Sequence, residues 1–502
     1  MKVWYGGEVR WEVALPLDYR RFQSLLLAAA LLCIVPAAHG QGTAGTVASS
    51  AQQRSAAVPF GESVPSELVP GVLPLSLQEA IDRGLKQNLG PLFSKADIPI
   101  AQGQHLEQLS ALLPNVIAAP YLASSQINVG EIGFTNLLNL LSQLPGAGSH
   151  APGVSVGPFN YFDARVSVEQ SLFNWKAING NRASNQNVKA AQYTYQDVRD
   201  IVVLAVGNAY LMLTADAARI DTATAQVMTA QAIYDQATDQ VTAGTSPEID
   251  ALRAKVQLQT REQQLIQARN NYAIQKLVLS RAIGLAPGQE FDLTDKSPSQ
   301  PFTGITLDEA LTRAYVSRAD YQAAMANVRA AEFARKAAGA GYLPSLAFNA
   351  DYGVAGANPA SASQVFDARG TLIIPIFQGR TVRGDILQAD ARLAQSREQM
   401  DSIRAQIDAD VRTALLNLQS SADLVTVARS NMDLAKESLT QSRDRYRAGV
   451  TDTVEVVQAQ EAVAGANEQY IASLYAFNLA KLSLARALGA AETGVREYFQ
   501  GK

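Results

Sequence analysis

Cysteine is almost absent: Cys33 is the one cysteine in 502 residues, so no disulfide framework can form. Histidine is nearly as scarce, and His39, His105 and His150 are too scattered to build a metal cluster or a catalytic triad. Gly339-x-Gly341 lacks the third glycine and the flanking strand of a nucleotide loop. No cofactor and no enzymatic chemistry are therefore expected. There is no basic surplus either: the net charge is −4, and Lys and Arg are spread along the chain rather than clustered, which excludes nucleic acid as a partner. Beyond the N-terminal leader no apolar run approaches the length of a membrane helix, so none is predicted. Proline is missing from Trp175 to Pro247 and again from Pro375 to the C-terminus, which leaves two long stretches free to be continuous helix.

What is present begins with a leader. Arg20-Arg21, an apolar run from Leu25 to Val35 and a small-x-small site at Ala38-His-Gly40 read as a secretory signal over residues 1–40. Cys33 follows Ala30-Leu-Leu32, whereas lipoprotein processing requires a small residue just before the cysteine, which weighs against a lipid anchor. Residues 41–74, rich in Ala, Gly, Ser, Val and Pro without periodicity, read as a linker or a wrapping arm.

The rest of the chain is written twice. Leu75-Ser-Leu-Gln-Glu-Ala80 returns as Ile305-Thr-Leu-Asp-Glu-Ala310, Phe162-Asp-Ala-Arg165 as Phe366-Asp-Ala-Arg369, and Arg281-Ala-Ile-Gly284 as Arg486-Ala-Leu-Gly489. The offset is about 230 residues early and about 205 later, far beyond a solenoid period, so one structural unit has been duplicated. The first repeat spans 75–300, the second 301–490, and 491–502 is a tail. They differ mainly by an insertion at 130–157 in the first, read as a surface loop or as a plug formed by Phe134 to Leu144.

Each repeat carries two alternating segments, Val116–Ser124 with Phe162–Leu172, and Leu346–Val354 with Phe366–Ile376. Their length and terminal aromatics fit outer-membrane strands, and equally a soluble sheet with one wet face. Helices are predicted over Leu77–Leu113, Ile178–Gly244 and Glu248–Gly284, and over Leu307–Gly341, Thr381–Tyr446 and Asp452–Leu488. Val206, Leu213, Ile220, Val227, Tyr234 and Val241 recur every seventh residue. Val411, Leu418, Val425, Met432, Leu439 and Tyr446 match them in the second repeat, as expected for supercoiled packing. A four-residue step from Ile407 to Val411 is a stutter. About 67 residues of helix reach about 100 Å. Four strands cannot close a barrel, and an open edge cannot sit in lipid, so copies of the chain must supply the rest. Three copies would give twelve strands.

At this point the chain resembles the TolC family of outer-membrane channels over about residues 75–490. The resemblance rests on the duplicated plan, on Pro375-Ile-Phe-Gln-Gly-Arg380 as a strand-to-helix turn, and on Arg445-Tyr-Arg-Ala-Gly-Val-Thr-Asp-Thr-Val-Glu455 as a periplasmic helix tip. Leu172-Phe-Asn-Trp175 and Val241-Thr-Ala-Gly-Thr-Ser-Pro-Glu-Ile-Asp250 depart from those patterns in the first repeat. The resemblance implies a mainly α protomer with a four-strand transmembrane contribution. A homotrimeric 12-stranded β-barrel would be joined to a long coiled-coil α-barrel, in the outer membrane of a Gram-negative bacterium. It implies a passive exit duct for a tripartite efflux pump or type I secretion system, with a periplasmic adaptor, an inner-membrane transporter and outer-membrane lipid as partners. It also implies a periplasmic gate at Asp250, Glu455, Tyr446 and Thr451, and helix-tip turns meeting the adaptor at Gly244 and Gly449. Thr451 stands where a basic residue is frequent, and Gln458 replaces a second acidic ring. The rival reading is a secreted or periplasmic coiled-coil scaffold without a pore.

Overall fold

The computed structural model describes residues 61–128, 155–295, 304–451 and 453–494. The leader with Cys33, most of the 130–157 insertion, Asp452 and the residues from 495 onward lie outside the described residues. The first repeat runs β1 (Leu73–Leu75), α1 (Leu77–Gln87), α2 (Leu89–Ser110), β2 (Asn115–Ala118), β3 (Tyr121–Asn128), β4 (Ser155–Phe173), α3 (Trp175–Thr242), α4 (Glu248–Ile283) and β5 (Phe291–Leu293). The second runs α5 (Leu307–Ser317), α6 (Ala319–Gly339), β6 (Ser345–Gly356), β7 (Ser363–Ile373), α7 (Thr381–Arg447) and α8 (Thr453–Ala487).

The duplicated motifs are helix punctuation. In Ser76-x-x-Glu79 and Thr306-x-x-Glu309 the cap hydroxyl accepts the glutamate N–H while the carboxylate accepts the cap N–H. Such a capping box is worth about 1 kcal/mol at each helix start. Gly284 and Gly489, ending the other shared motif, both sit at φ 69, the left-handed conformation that closes α4 and α8. Between these marks Ala80 and Ala310 are fully buried, each in its own apolar core.

The helices expected over Leu77–Leu113 and Leu307–Gly341 are each broken in two. Asn88 and Arg318 keep a helical φ of −66 but turn to ψ 137 and ψ 120, ending one helix and starting the next. Asn88 Oδ1 accepts the Gly90 N–H at 2.9 Å, and buried Arg318 pairs with Asp320 at 2.6 Å and Asp410 at 2.7 Å. The strand expected over Val116–Ser124 is also broken, because Pro120 offers no N–H to the ladder between β2 and β3. The expectation of no membrane-length apolar helix segment needs correcting too, since α3 contains an 18-residue window apolar enough to cross a bilayer by composition. Half of that window is buried inside the molecule. Val202, Val203, Val206 and Leu213, fully buried in the first core, explain its composition.

From Gly61 onward the segment before α1 lies along the first repeat. Val64 N–H donates to Gln87 O, Ser66 N–H to Gly284 O, and β1 pairs in parallel with β5.

The main sheet runs β2–β4–β6–β7, with β3 also on β4, and leaves its outer strands without a further strand partner among the described residues. Its faces are inverted relative to a soluble sheet. Val166, Tyr352 and Phe366 lie in register on one face, and Tyr352 and Phe366 are 60% and 77% exposed. On the other face Asp163 is only 1% exposed, held by the Tyr161 hydroxyl at 2.8 Å and by Arg165, which also reaches Asp351 at 3.0 Å. Apolar side chains outward and charges inward is the pattern of a strand set facing lipid around a wet interior.

Along the helical part, the long helices α3 and α7 are flanked near the sheet by α2 and α6 and, farther away, by α4 and α8. There the helices neighbour one another in the order α4–α3–α8–α7. Ile407 and Val411, on either side of the stutter, are both fully buried.

Candidate functional site

The two helical hairpins end side by side, α3 turning into α4 and α7 into α8. Both turns are closed by the same hydrogen bonds. Gly244 N–H donates to Val241 O and Thr245 N–H to Gln240 O; Gly449 N–H donates to Tyr446 O and Val450 N–H to Arg445 O. Gly244 and Gly449 both stand at φ 73 with nothing within 4 Å of an added Cβ, so glycine is required there by conformation and not by crowding.

The side chains on these matched turns differ. At the first tip α4 starts behind Pro247 without a side-chain cap, and Asp250 in the first turn pairs with Arg253 at 3.5 Å. At the second tip Glu455 is gathered into its own hairpin: the Thr451 and Ser442 hydroxyls donate to it, the latter at 3.4 Å, and Arg445 lies 3.4 Å away. The acids at the start of each helix also suit the local helix dipole.

Tyr446 joins the two tips. It is 6% exposed, packed with Ile233 and Ala237 of α3, Ala254 of α4 and Val456 of α8. Its hydroxyl donates to Gln240 Oε1 at 2.7 Å. Burial, and then the negative charge of Asp250, push the Tyr446 hydroxyl above its ordinary value, so it remains a donor at neutral pH. The structure thus draws together Tyr446 with Asp250, and Thr451 with Glu455, and leaves Gly244 and Gly449 at the extreme ends. The residue that sequence reasoning missed is Gln240, whose backbone carbonyl closes the first turn while its side chain receives Tyr446. Its signal was positional: it occupies the place in the first repeat that Arg445 occupies in the second. Among the described residues no group of three or more His, Cys, Asp or Glu is placed to hold a metal.

Comparison with known proteins agrees with this architecture. The profile of the family described as "Outer membrane efflux protein" matches residues 123–285 and 310–490, one match in each repeat. "Outer membrane protein TolC" of Escherichia coli (strain K12) is 26% identical over 360 residues, covering 66% of this chain and 70% of that protein. Among solved structures, the Campylobacter jejuni CmeC outer membrane channel superimposes with a TM-score of 0.70 at 17% identity, covering 83% of this chain and 86% of that one. The outer membrane protein VceC of Vibrio cholerae gives 0.69 at 18% identity, covering 82% and 96%. At such identities these two speak for the fold, and the family profile, which takes in more than half of the sequence, decides membership: the chain belongs to the outer membrane efflux protein family, whose members are outer-membrane channels with a large periplasmic part and not enzymes.

Proposed function

We propose that three copies of this chain close into one duct, a 12-stranded barrel in the outer membrane continued by a helical barrel across the periplasm. Substrates would leave passively through it from an inner-membrane transporter held by a periplasmic adaptor. The observation that carries this reading is the sheet: its apolar face is bare, its charges gather on the opposite face around Asp163, Arg165 and Asp351, and both its edges lack a strand partner among the described residues. A closed barrel resolves all three conditions at once. The helical part supports the same assembly, since its edge helices expose apolar rows, Leu252, Val256 and Ile266 on α4, and Leu416, Leu424 and Val427 on α7. A neighbouring copy would cover them.

In that assembly the tips form the entrance. Tyr446 and Gln240 tie the two hairpins of each copy, Thr451 and Arg445 tether Glu455, and Asp250 and Glu455 line the opening as a ring of carboxylates that favours cations. The turns at Gly244 and Gly449 are the surface offered to the adaptor. Bilayer recordings test this reading. Purified protein should give discrete cation-selective conductance, low in the resting state and raised by Tyr446→Phe. Protein that is soluble without detergent and silent in bilayers would overturn it and return the scaffold reading.

A further inference from the structure

The seam between the first hairpin and α8 is uneven along its length. At the end farther from the tips it is tight: at Gly207 an added Cβ would come within 2.5 Å of Leu482. Farther down, Tyr475 OH donates to Asn208 Oδ1 at 2.6 Å, and Arg219 bridges Asp216 at 2.8 Å and Glu468 at 2.7 Å. Below this clamp packing gives way to a cavity of about 370 Å³, lined among others by Thr229, Arg261, Lys436, Gln460 and Asn467. Gln460 is buried with its Oε1 unbonded. This cleft is open to solvent, so direct helix-to-helix contact is thinner here than at the clamp above it.

What crosses it from α4 to α8 is polar and converges on Glu461, which is reached by Arg261 and by Gln257. Arg261 of α4 is 2% exposed, and its Nη2 lies 2.7 Å from Glu461 Oε1 of α8, outside hydrogen-bond geometry and so held by charge. Gln257 Nε2 donates to the same Glu461 oxygen at 2.7 Å, and Arg261 Nη1 to Gln264 Oε1 at 2.8 Å. The arrangement is not duplicated: the position matching Arg261 in the second repeat is Ala466, and the position matching Glu461 in the first is Val256. Arg261 interrupts an otherwise apolar helix face between Leu258 and Leu265. A guanidinium removed from water stays only while it is paired, and separating the pair leaves an uncompensated charge beside the cleft.

We infer that Arg261, through Glu461, is a second latch of the entrance, about 16 Å above the tips at the rise of an α-helix, and that it sets how readily the duct opens. It acts as a positioning residue, since it touches no substrate. The inference rests on the proposed duct and assigns to that gate a residue outside its tips. When α8 moves away from α4, the Arg261–Glu461 pair has to part, and the cleft beside it already separates part of the facing helix surfaces.

The test uses full-length protein in planar bilayers. Glu461→Gln, at the exposed partner, and Arg261→Met should each raise the open fraction about tenfold, less than a fully buried pair would give because Glu461 is half exposed. High potassium chloride should have less effect on the variants than on the unmodified protein. The swap Arg261→Glu with Glu461→Arg should bring the open fraction back toward its starting value. Where the swap does not fold, Glu461→Gln and the salt series carry the test. An unchanged open fraction in Glu461→Gln, alongside a raised one in Tyr446→Phe, would leave the duct standing and remove the second latch. A lowered melting temperature with unchanged gating would likewise make the pair merely structural and overturn the inference. Silence from every form, the unmodified protein included, would remove the duct and the latch together.

Discussion

The two helix tips share a backbone and differ in where their side chains point their attachments. Gly244 and Gly449 adopt the same φ, and the same pair of hydrogen bonds closes each turn. Yet the second tip gathers Thr451, Ser442 and Arg445 on Glu455, within its own hairpin, while the first gathers Thr245 and Ser246 on Gln240 and offers the same Gln240 side chain to its neighbour. Duplication preserved what the chain needs to turn, and divergence acted on what the tips hold. The tip that holds Glu455 within its own hairpin is built to move as a unit, and the joint between tips is concentrated in Tyr446.

The sharpest way to break this contrast is Tyr446→Ala. It removes a buried ring from a cluster shared by α3, α4 and α8 together with the hydrogen bond to Gln240. Core truncations of aromatics cost about 3–5 kcal/mol. Tyr446→Phe keeps the ring and removes only the hydrogen bond, worth about 1 kcal/mol. The expected order in bilayer recordings is a largely open channel for Tyr446→Ala, a several-fold rise for Tyr446→Phe, and the same rise for Gln240→Leu. Equal effects from all three would mean that the ring's packing does not hold the tips.

A remote site sharpens the comparison from the other side. Asp200, on α3 near the end of the second repeat, has its carboxyl raised to about 6, first by burial and then by the charges of Asp197 and Glu492, against the pull of Arg486. Its folded value lies above the ordinary 3.8, so folding favours its protonated form. Its contribution is full below about pH 4 and is lost as pH rises through about 6. Asp200→Asn keeps an acceptor without the charge and should recover on the order of 2 kcal/mol above pH 7, flattening the melting temperature between pH 5 and 7. Because the site is far along the chain from the tips, the open fraction should not change. A gating effect as large as that of Tyr446→Phe would spread the control of opening along the whole molecule.

How much of this could be read beforehand follows from the physics of each feature. Heptads, long helices and glycine stops were legible because they repeat, and because positive φ selects glycine at Gly244, Gly449, Gly284 and Gly489. The breaks at Asn88 and Arg318 were not, since each is one ψ rotation within a sequence that stays helix-compatible on both sides. Pro120 was a visible signal that the reading of the first strand passed over. The parallel pairing of β1 with β5 involves only three residues on each strand, too few to show a period. At the tips the acids and the tyrosine were legible only through the family resemblance, which marks their positions. Gln240 and Arg261 were not legible, because an amide or a cation on a long polar helix is ordinarily solvated, and only the neighbouring hairpin gives them a partner.

Equal backbones predict equal costs. Gly244→Ala and Gly449→Ala each force a Cβ into the left-handed region at φ 73 without steric contact elsewhere, so each should cost about 1 kcal/mol by thermal unfolding, to similar degrees. A clear inequality would show that one turn carries strain the other does not.

The smallest expected effect concerns the two carboxylates, and it decides whether the clamp on Glu455 matters to permeation. Exposed ion pairs are worth about 0–1 kcal/mol, so neither Asp250→Asn nor Glu455→Gln should unfold the tips. They should still differ. Glu455→Gln keeps acceptors for Thr451 and Ser442 but loses the charge that draws Arg445, which leaves that cation free to face the opening. Asp250→Asn loses only its local pair with Arg253. Reversal potentials across a salt gradient should therefore move further toward anions for Glu455→Gln than for Asp250→Asn: each removes a negative charge and releases an arginine, but Arg445, four residues before Gly449, is released nearer the end of its tip than Arg253, nine residues after Gly244. Equal shifts would mean that Arg445 does not reach the opening, and that the clamp on Glu455 shapes the hairpin without shaping the charge that ions meet.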